Sequence, residues 1–172
     1  MKKSLKELEL ELYINLKKIS KLKNYDYEKL LYSLIHLTSQ LLYFYEIIAQ
    51  GKTSSDIWYK RNKESLEHKM VYINLGRGFP KELMDGHWCY VLRDMGAKIM
   101  IIPSTSIKED SIFDERYDMD IKSKVLNKKL VSRLCISEIR TVDVQRIDKR
   151  KKFMNVITNR KEIIQFVKMR IF

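Results

Sequence analysis

The hydrophobic period of the chain changes once, near residue 60, and that switch restricts the fold more than any other feature. Before it, apolar residues recur every three or four positions, the spacing of a helix face. After it, short apolar runs are separated by Gly, Pro and Asp, the pattern of strands and turns. Leu5, Leu8, Leu12, Leu16 and Ile19, with Lys and Glu between them, predict a first helix. Ser4 stands as its N-cap, and Glu7 three residues later completes a capping box. Asn24 and Tyr25 interrupt the helix and Asp26 caps a second one. The second carries a wide apolar stripe of Tyr27, Leu30, Leu31, Leu34, Ile35, Leu41, Leu42, Tyr45 and Ile48. Gly51 stands where a C-terminal stop is expected. The reading is an N-terminal helical hairpin over 1–51 with more apolar face than two helices can hide. It has to pack on the rest of the chain or on a second copy. Residues 52–69 are polar around a lone Trp58 and read as a connector, with a short helix over 63–67.

From Met70 the pattern is strand-like. Val71-Tyr72-Ile73-Asn74-Leu75 predicts one strand, stopped by Gly76-Arg77-Gly78-Phe79-Pro80. Residues 88–93 predict a second, and Asp94-Met95-Gly96 a tight turn into a third over 98–102. Residues 129–139 and 141–147 predict one or two more, and 162–172 a closing helix. Several short strands and a terminal helix in about 100 residues point to a strongly bent antiparallel sheet or barrel over 70–172. The fold class is α+β.

The chain has 172 residues, 34 Lys and Arg against 22 Asp and Glu, and a net charge of +12. A balance this basic points to a polyanionic partner. The charge is uneven: residues 1–60 and 61–108 each carry +3, residues 109–121 carry −5, and residues 122–172 carry +11. The acidic stretch directly before the basic one invites pairing within the chain. Two cysteines exclude a disulfide scaffold and a four-cysteine zinc site. No apolar run approaches the ~20 residues needed to span a bilayer. The basic start has no apolar stretch behind it, so a signal peptide is not expected and a cytoplasmic location is. No metal-ligand spacing joins His36, His68 or His87 to either cysteine, and no cofactor motif is visible.

Several segments resemble, in order, the MazF/PemK family of toxin endoribonucleases. They are Val71-Tyr72-Ile73-Asn74-Leu75-Gly76, Glu82, Gly86-His87-Trp88-Cys89-Tyr90-Val91-Leu92, Ile101-Ile102-Pro103-Ser104-Thr105-Ser106, and Ser137-Glu138-Ile139-Arg140-Thr141-Val142-Asp143-Val144-Gln145-Arg146-Ile147. The resemblance covers about residues 70–150. It implies a small SH3-like antiparallel β-barrel with a C-terminal helix, usually a homodimer. The activity implied is growth-inhibiting, metal-independent cleavage of single-stranded RNA, neutralised by an acidic antitoxin protein. The family's essential threonine falls on Thr105. Its essential arginine falls on His87, the proline that follows it on Trp88, and the serine of its Gly-Ser-Glu loop on Lys81. Residues 1–60 have no counterpart in the short members.

Cleavage without a metal uses the 2′-OH as nucleophile, one group to take its proton, another to protonate the leaving oxygen, and donors for the phosphorane. His87 suits proton transfer; it also reads as a loop histidine. Thr105 and Ser106 offer hydroxyls to a phosphate oxygen, or form a turn. Arg77, between two glycines, offers a planar fork to phosphate or a plain loop cation. Glu82 reads first as a support of that loop and second as a general base. Arg140 offers charge to RNA or pairs with Asp143. Lys149, Arg150, Lys151 and Lys152 form a basic run suited to phosphates, and Trp88 a stacking surface. Three rival readings stand beside the nuclease: a catalytically inactive barrel that binds nucleic acid or protein, an interaction protein worked by the hairpin, and a topoisomerase poison.

Overall fold

The structure, a computed structural model, describes residues 3–49 and 64–171. Gly51, Trp58 and most of the expected connector lie outside the described residues.

Helix α1 spans Leu5–Ile19 and starts at the reciprocal capping box of Ser4 and Glu7. Helix α2 spans Tyr27–Tyr43, with Asp26 accepting from the Lys29 N–H. It continues through a π-helical turn, Phe44–Ile48. The two helices are joined by a short turn, as expected, but make no extended contact with one another among the described residues. No residue of α1 is buried. The reason lies in α2. Its Ser33 is buried, its His36 bonds Asn74 of β1, and its 36–44 stretch lines a cleft against residues 145–150, so α2 faces the barrel. Leu5, Leu8 and Leu12 are left in solvent. Residues 64–66 are irregular, not helical.

Seven strands follow: β1 (Lys69–Asn74), β2 (Gly86–Asp94), β3 (Lys98–Ser106), β4 (Asp118–Val125), β5 (Lys128–Cys135), β6 (Arg140–Asp143) and β7 (Met154–Val156). All pairings are antiparallel, and six strands close a ring in the order β1-β2-β3-β5-β4-β7 and back to β1. Closure removes the edges of those six strands and leaves β6, paired on β3 alone, outside the ring. The long strand β3 is shared. Its Lys98–Ile101 half pairs with β6 and its Ser104–Ser106 half with β5. Pro103 sits between those halves, where a strand residue without an N–H costs the ladder least.

Alternation along the strands makes two cores. Met70, Tyr90, Ile102, Ile121, Leu134 and Met154 come one from each ring strand and fill the barrel. Helix α3 (Arg160–Ile171) plugs it with Ile163 and Val167. Each of those side chains contributes about 1.5–3 kcal/mol when buried. The opposite faces of β1, β2 and β3 make the second core: Val71, Ile73, Cys89, Val91, Ile99 and Ile101, covered by Leu66, Val144 and Ile147. These three strands therefore read as continuous apolar runs, and strand β2 bulges between Val91 and Arg93.

Two strands were not anticipated. β4 lies partly in the acidic stretch, yet it alternates cleanly. Asp118, Asp120, Lys122 and Lys124 face out, while Met119, Ile121, Ser123 and Val125 face the core. β7 is only three residues long.

Candidate active site

One row of side chains crosses the outer face of the barrel. Thr105 on β3 stands opposite Arg133 on β5. The β2–β3 register ends at Trp88 opposite Ser104, so His87 and Thr105 are the next residues on adjacent strands just past the paired region, where the His87 ring reaches the Ser104 carbonyl. On its other side His87 pairs with Ile73 on β1, and Ile73 bridges to Ile147. Residues directly opposed on antiparallel strands share a face, so Arg133, Thr105, His87 and Ile73 point the same way, on the side of Cys89 and Ile101.

The His87 ring is held at both nitrogens. Nδ1 lies 3.0 Å from the Ser104 carbonyl oxygen and Nε2 2.9 Å from that of Met84. A neutral imidazole carries one N–H, so only the doubly protonated ring donates to both carbonyls. The Thr105 hydroxyl is less engaged: its polar neighbour is the Cys135 sulfur at 4.0 Å. Both residues are half-buried.

Arg133, which the sequence reading passed over, is the best-ordered cation of the row. Its Nε donates to Asp120 at 2.8 Å and its Nη2 to the same carboxylate at 3.3 Å. Nη1 reaches the Ser111 hydroxyl and the Ile112 carbonyl, and the guanidinium lies 4.7 Å from the Phe113 ring centre. Residues 111–113 cover it so that 9% of the side chain is exposed. Hydrogen bonding with Asp120 raises its pKa further, so the charge is permanent. The signal was available: Val131, Arg133 and Cys135 are alternate residues of one strand, with Asp120 across the ladder.

Arg140 pairs across from Ile101 and is tied to Glu138 by a charge-assisted contact and by its Nε on the Glu138 carbonyl. Asp143, its expected partner, instead accepts from the Gln145 N–H. Burial pushes the Cys135 thiol up, and pushes that of Cys89 up to about 12 against the opposing charge of Arg140. Neither cysteine is a nucleophile at neutral pH.

The remaining expected residues lie elsewhere. Arg77 donates to Asp85 at 2.7 Å with 12% of its side chain exposed, and its guanidinium lies 5.9 Å from the Tyr25 ring centre. Burial opposes its charge, and hydrogen bonds with Tyr25 and Asp85 together outweigh that. It fastens the loop after β1 to the turn between α1 and α2. Glu82 accepts from the Phe79 N–H at 2.8 Å and sits so close to Gly78 that a Cβ there would fall 2.0 Å from its Oε2. Ser106 stands opposite Ser132 on the face away from Thr105. Trp88 also lies on the opposite face of β2 from His87, edge-on to Tyr72 at 5.5 Å. The basic run ends over this pair, with Lys151 5.6 Å from the Tyr72 ring centre. Arg150 is paired with Asp148, whose carboxyl is held low first by that hydrogen bond, against the cost of burial. Lys152 is exposed and Lys149 lines a cleft beside α2.

No protein-family model and no curated protein matches the chain.

The cleft lies where α2 meets the segment after β6. It holds about 450 Å³ between Tyr43 and Phe44 on one side and Gln145, Lys149 and Arg150 on the other. His36 stands at its wall and bonds Asn74 of β1 at 2.7 Å. Among the described residues no group of His, Cys, Asp and Glu is placed to hold a metal ion, and no helix is long and apolar enough to cross a membrane. Chemically, the row offers a hydroxyl donor between a fixed guanidinium and an imidazole, the groups that bind a phosphodiester and move its protons.

Proposed function

We propose that the protein is a toxin-like endoribonuclease of the MazF/PemK kind that cleaves single-stranded RNA without a metal. The observation that carries the reading is the single row of Arg133, Thr105 and His87. The 2′-oxygen attacks the adjacent phosphorus and loses its proton. The bond from phosphorus to the 5′-oxygen breaks, and that oxygen gains a proton. The products are a 2′,3′-cyclic phosphate and a 5′-hydroxyl. Thr105 donates to a non-bridging oxygen, Arg133 and Arg140 supply positive field, and His87 carries the protons through Nε2 when the Met84 carbonyl yields to substrate. That carbonyl belongs to the loop before β2, which a bound strand can displace. The neutralising partner would be an acidic protein competing with RNA for the same basic face.

The chain would act as a homodimer. The stripe on α1 is palindromic about Leu12, so an antiparallel copy sets Leu5 against Ile19, Leu8 against Leu16 and Leu12 against itself. A face that complements itself is what a two-fold contact requires.

A second reading, an RNA-binding barrel without catalysis, is favoured by one observation: both His87 nitrogens already have carbonyl partners. Incubating the protein with a mixed RNA pool in EDTA, from mildly acid to mildly alkaline pH, separates the two. Products ending in 2′,3′-cyclic phosphate support the nuclease. RNA bound and left whole at every pH refutes it in favour of the binder.

A further inference from the structure

Four features of the cleft beside α2 fit one nucleotide. Its volume, about 450 Å³, is in the range of small-ligand sites. The helix loses α geometry at the far end of the cleft, in the π-helical turn whose first residue, Phe44, is the last helical residue of the lining, and such turns occur often at binding sites. Gln145 lines the cleft, and its side-chain nitrogen is buried without a hydrogen-bond partner among the described residues, a cost that ends if the amide turns its donor to an acceptor in the cleft. Arg150 uses Nε and Nη2 on Asp148 while 78% of its side chain is exposed, so its other edge is open to an anion.

The cleft is also aligned with the active-site row. Ile147 lines it and bridges to Ile73, which pairs with His87, and the His87 ring reaches the Ser104 carbonyl next to Thr105. Three inter-strand steps separate Ile147 from Thr105, at most about 14 Å along the sheet. A single strand lying across the barrel covers that span in a few nucleotides.

We propose that this cleft is a base-selective subsite for the bound RNA, taking one nucleotide a short way along the strand from the scissile phosphate. The inference rests on the RNA reading above. The base lies against Tyr43 and Phe44, a carbonyl of the base accepts from the Gln145 amide once that amide has turned into the cleft, and the phosphate meets Arg150 beside Lys149. Uracil, cytosine and guanine carry such a carbonyl and adenine does not, so the cleft disfavours adenine. α2, which the resemblance leaves unexplained, thereby forms one wall of the subsite.

Fluorescence anisotropy with short labelled oligouridylate and oligoadenylate tests it. The wild type binds oligouridylate more tightly by about fivefold, the value of one neutral hydrogen bond. Gln145→Met keeps shape, removes the amide, and brings oligouridylate down to oligoadenylate. Tyr43→Ala, at a position 55% exposed and so harmless to folding, weakens both by about tenfold through lost stacking. Circular dichroism checks that both variants are folded. Equal binding of the two oligomers, unmoved by either substitution, overturns the subsite and leaves the RNA reading standing. If neither oligomer binds, uridine monophosphate is titrated by calorimetry. Binding lost in Gln145→Met then keeps a nucleotide site and removes the RNA reading, whereas no binding removes both.

Discussion

Replacing Thr105 by Val removes one hydroxyl and almost nothing else. The side chains match in volume and β-branching, so the strand keeps its preference. The hydroxyl's polar contact is a sulfur at 4.0 Å, too long to hold much of the fold together. The stability cost is therefore under about 1 kcal/mol, a melting shift of no more than about 2–4 °C for a chain of this size. The catalytic cost is of another order. A preorganised donor to a developing phosphorane oxygen is worth about 10²–10³ in rate. Ser104, the adjacent residue, supplies the contrast. It is 4% exposed and its hydroxyl donates to the Trp88 carbonyl at 2.8 Å. Ser104→Ala loses about 1 kcal/mol of stability and should cleave at nearly the wild-type rate. Cleavage of a fluorogenic RNA, measured beside thermal denaturation of the same samples, gives both numbers. Should Thr105→Val cut as fast as wild type, or lose activity only in proportion to the unfolded fraction, the hydroxyl has no part in the chemistry.

Three further outcomes follow from burial and charge. Iodoacetamide at mildly alkaline pH should label Cys135 slowly and Cys89 only after unfolding, because burial raises both thiols, that of Cys89 to about 12; rapid native labelling of Cys89, read by mass spectrometry, contradicts its place in the core. His68 lies 3.1 Å from the Tyr90 hydroxyl, and its pKa is lowered first by burial and then by the charge of Arg160. The unfolded chain therefore binds the His68 proton more readily, so its stabilising contribution is whole above about pH 6.5 and is lost below it. Urea midpoints should fall on mild acidification and fall less in His68→Gln; a midpoint that rises has the sign wrong. Leu8→Glu with Leu12→Glu, at positions 50% and 59% exposed, should halve the mass seen by light scattering without lowering the melting temperature of the barrel. An unchanged mass removes α1 as the dimer contact.

The fold was legible where local pattern and tertiary environment agree. The capping box, the run Val71-Tyr72-Ile73 and the closing helix each announce themselves, and each occurs within a few residues of its expected bounds. β4 was illegible because its outward residues are Asp and Lys. Reading it as a charged segment hides the inward set of Met119, Ile121, Ser123 and Val125. The separation of α1 from α2 was illegible for a different reason. Periodicity reports that a face is apolar, not what covers it. In the site, position along a motif proved less informative than register. Arg77 was singled out from its glycines, but Asp85 and Tyr25 hold it inside the loop. Arg133 has no motif, and only the pairing of β5 with β3 places it beside Thr105.

The same register gives the basic excess of the chain a direction. Part of the charge excess in the last third is cancelled locally. Asp120, from the acidic stretch, takes Arg133, Asp148 takes Arg150, and Glu138 takes Arg140. A paired guanidinium keeps a direction that a free one lacks, because two of its donors are fixed and the rest must point elsewhere. Arg133 is thereby held toward Asp120 of β4, with its Nη1 taken by Ser111 and Ile112, on the strand next to Thr105. Arg150, tied by one edge and open on the other, stands at the cleft. Lys151 and Lys152 are left as the diffuse, salt-sensitive part of the surface. Asp120→Asn would leave the net charge more positive, yet it would free Arg133 from the position the reaction needs. Such a variant should bind RNA at least as tightly as wild type and cleave it more slowly. A general attraction between a basic protein and a polyanion would not produce that split.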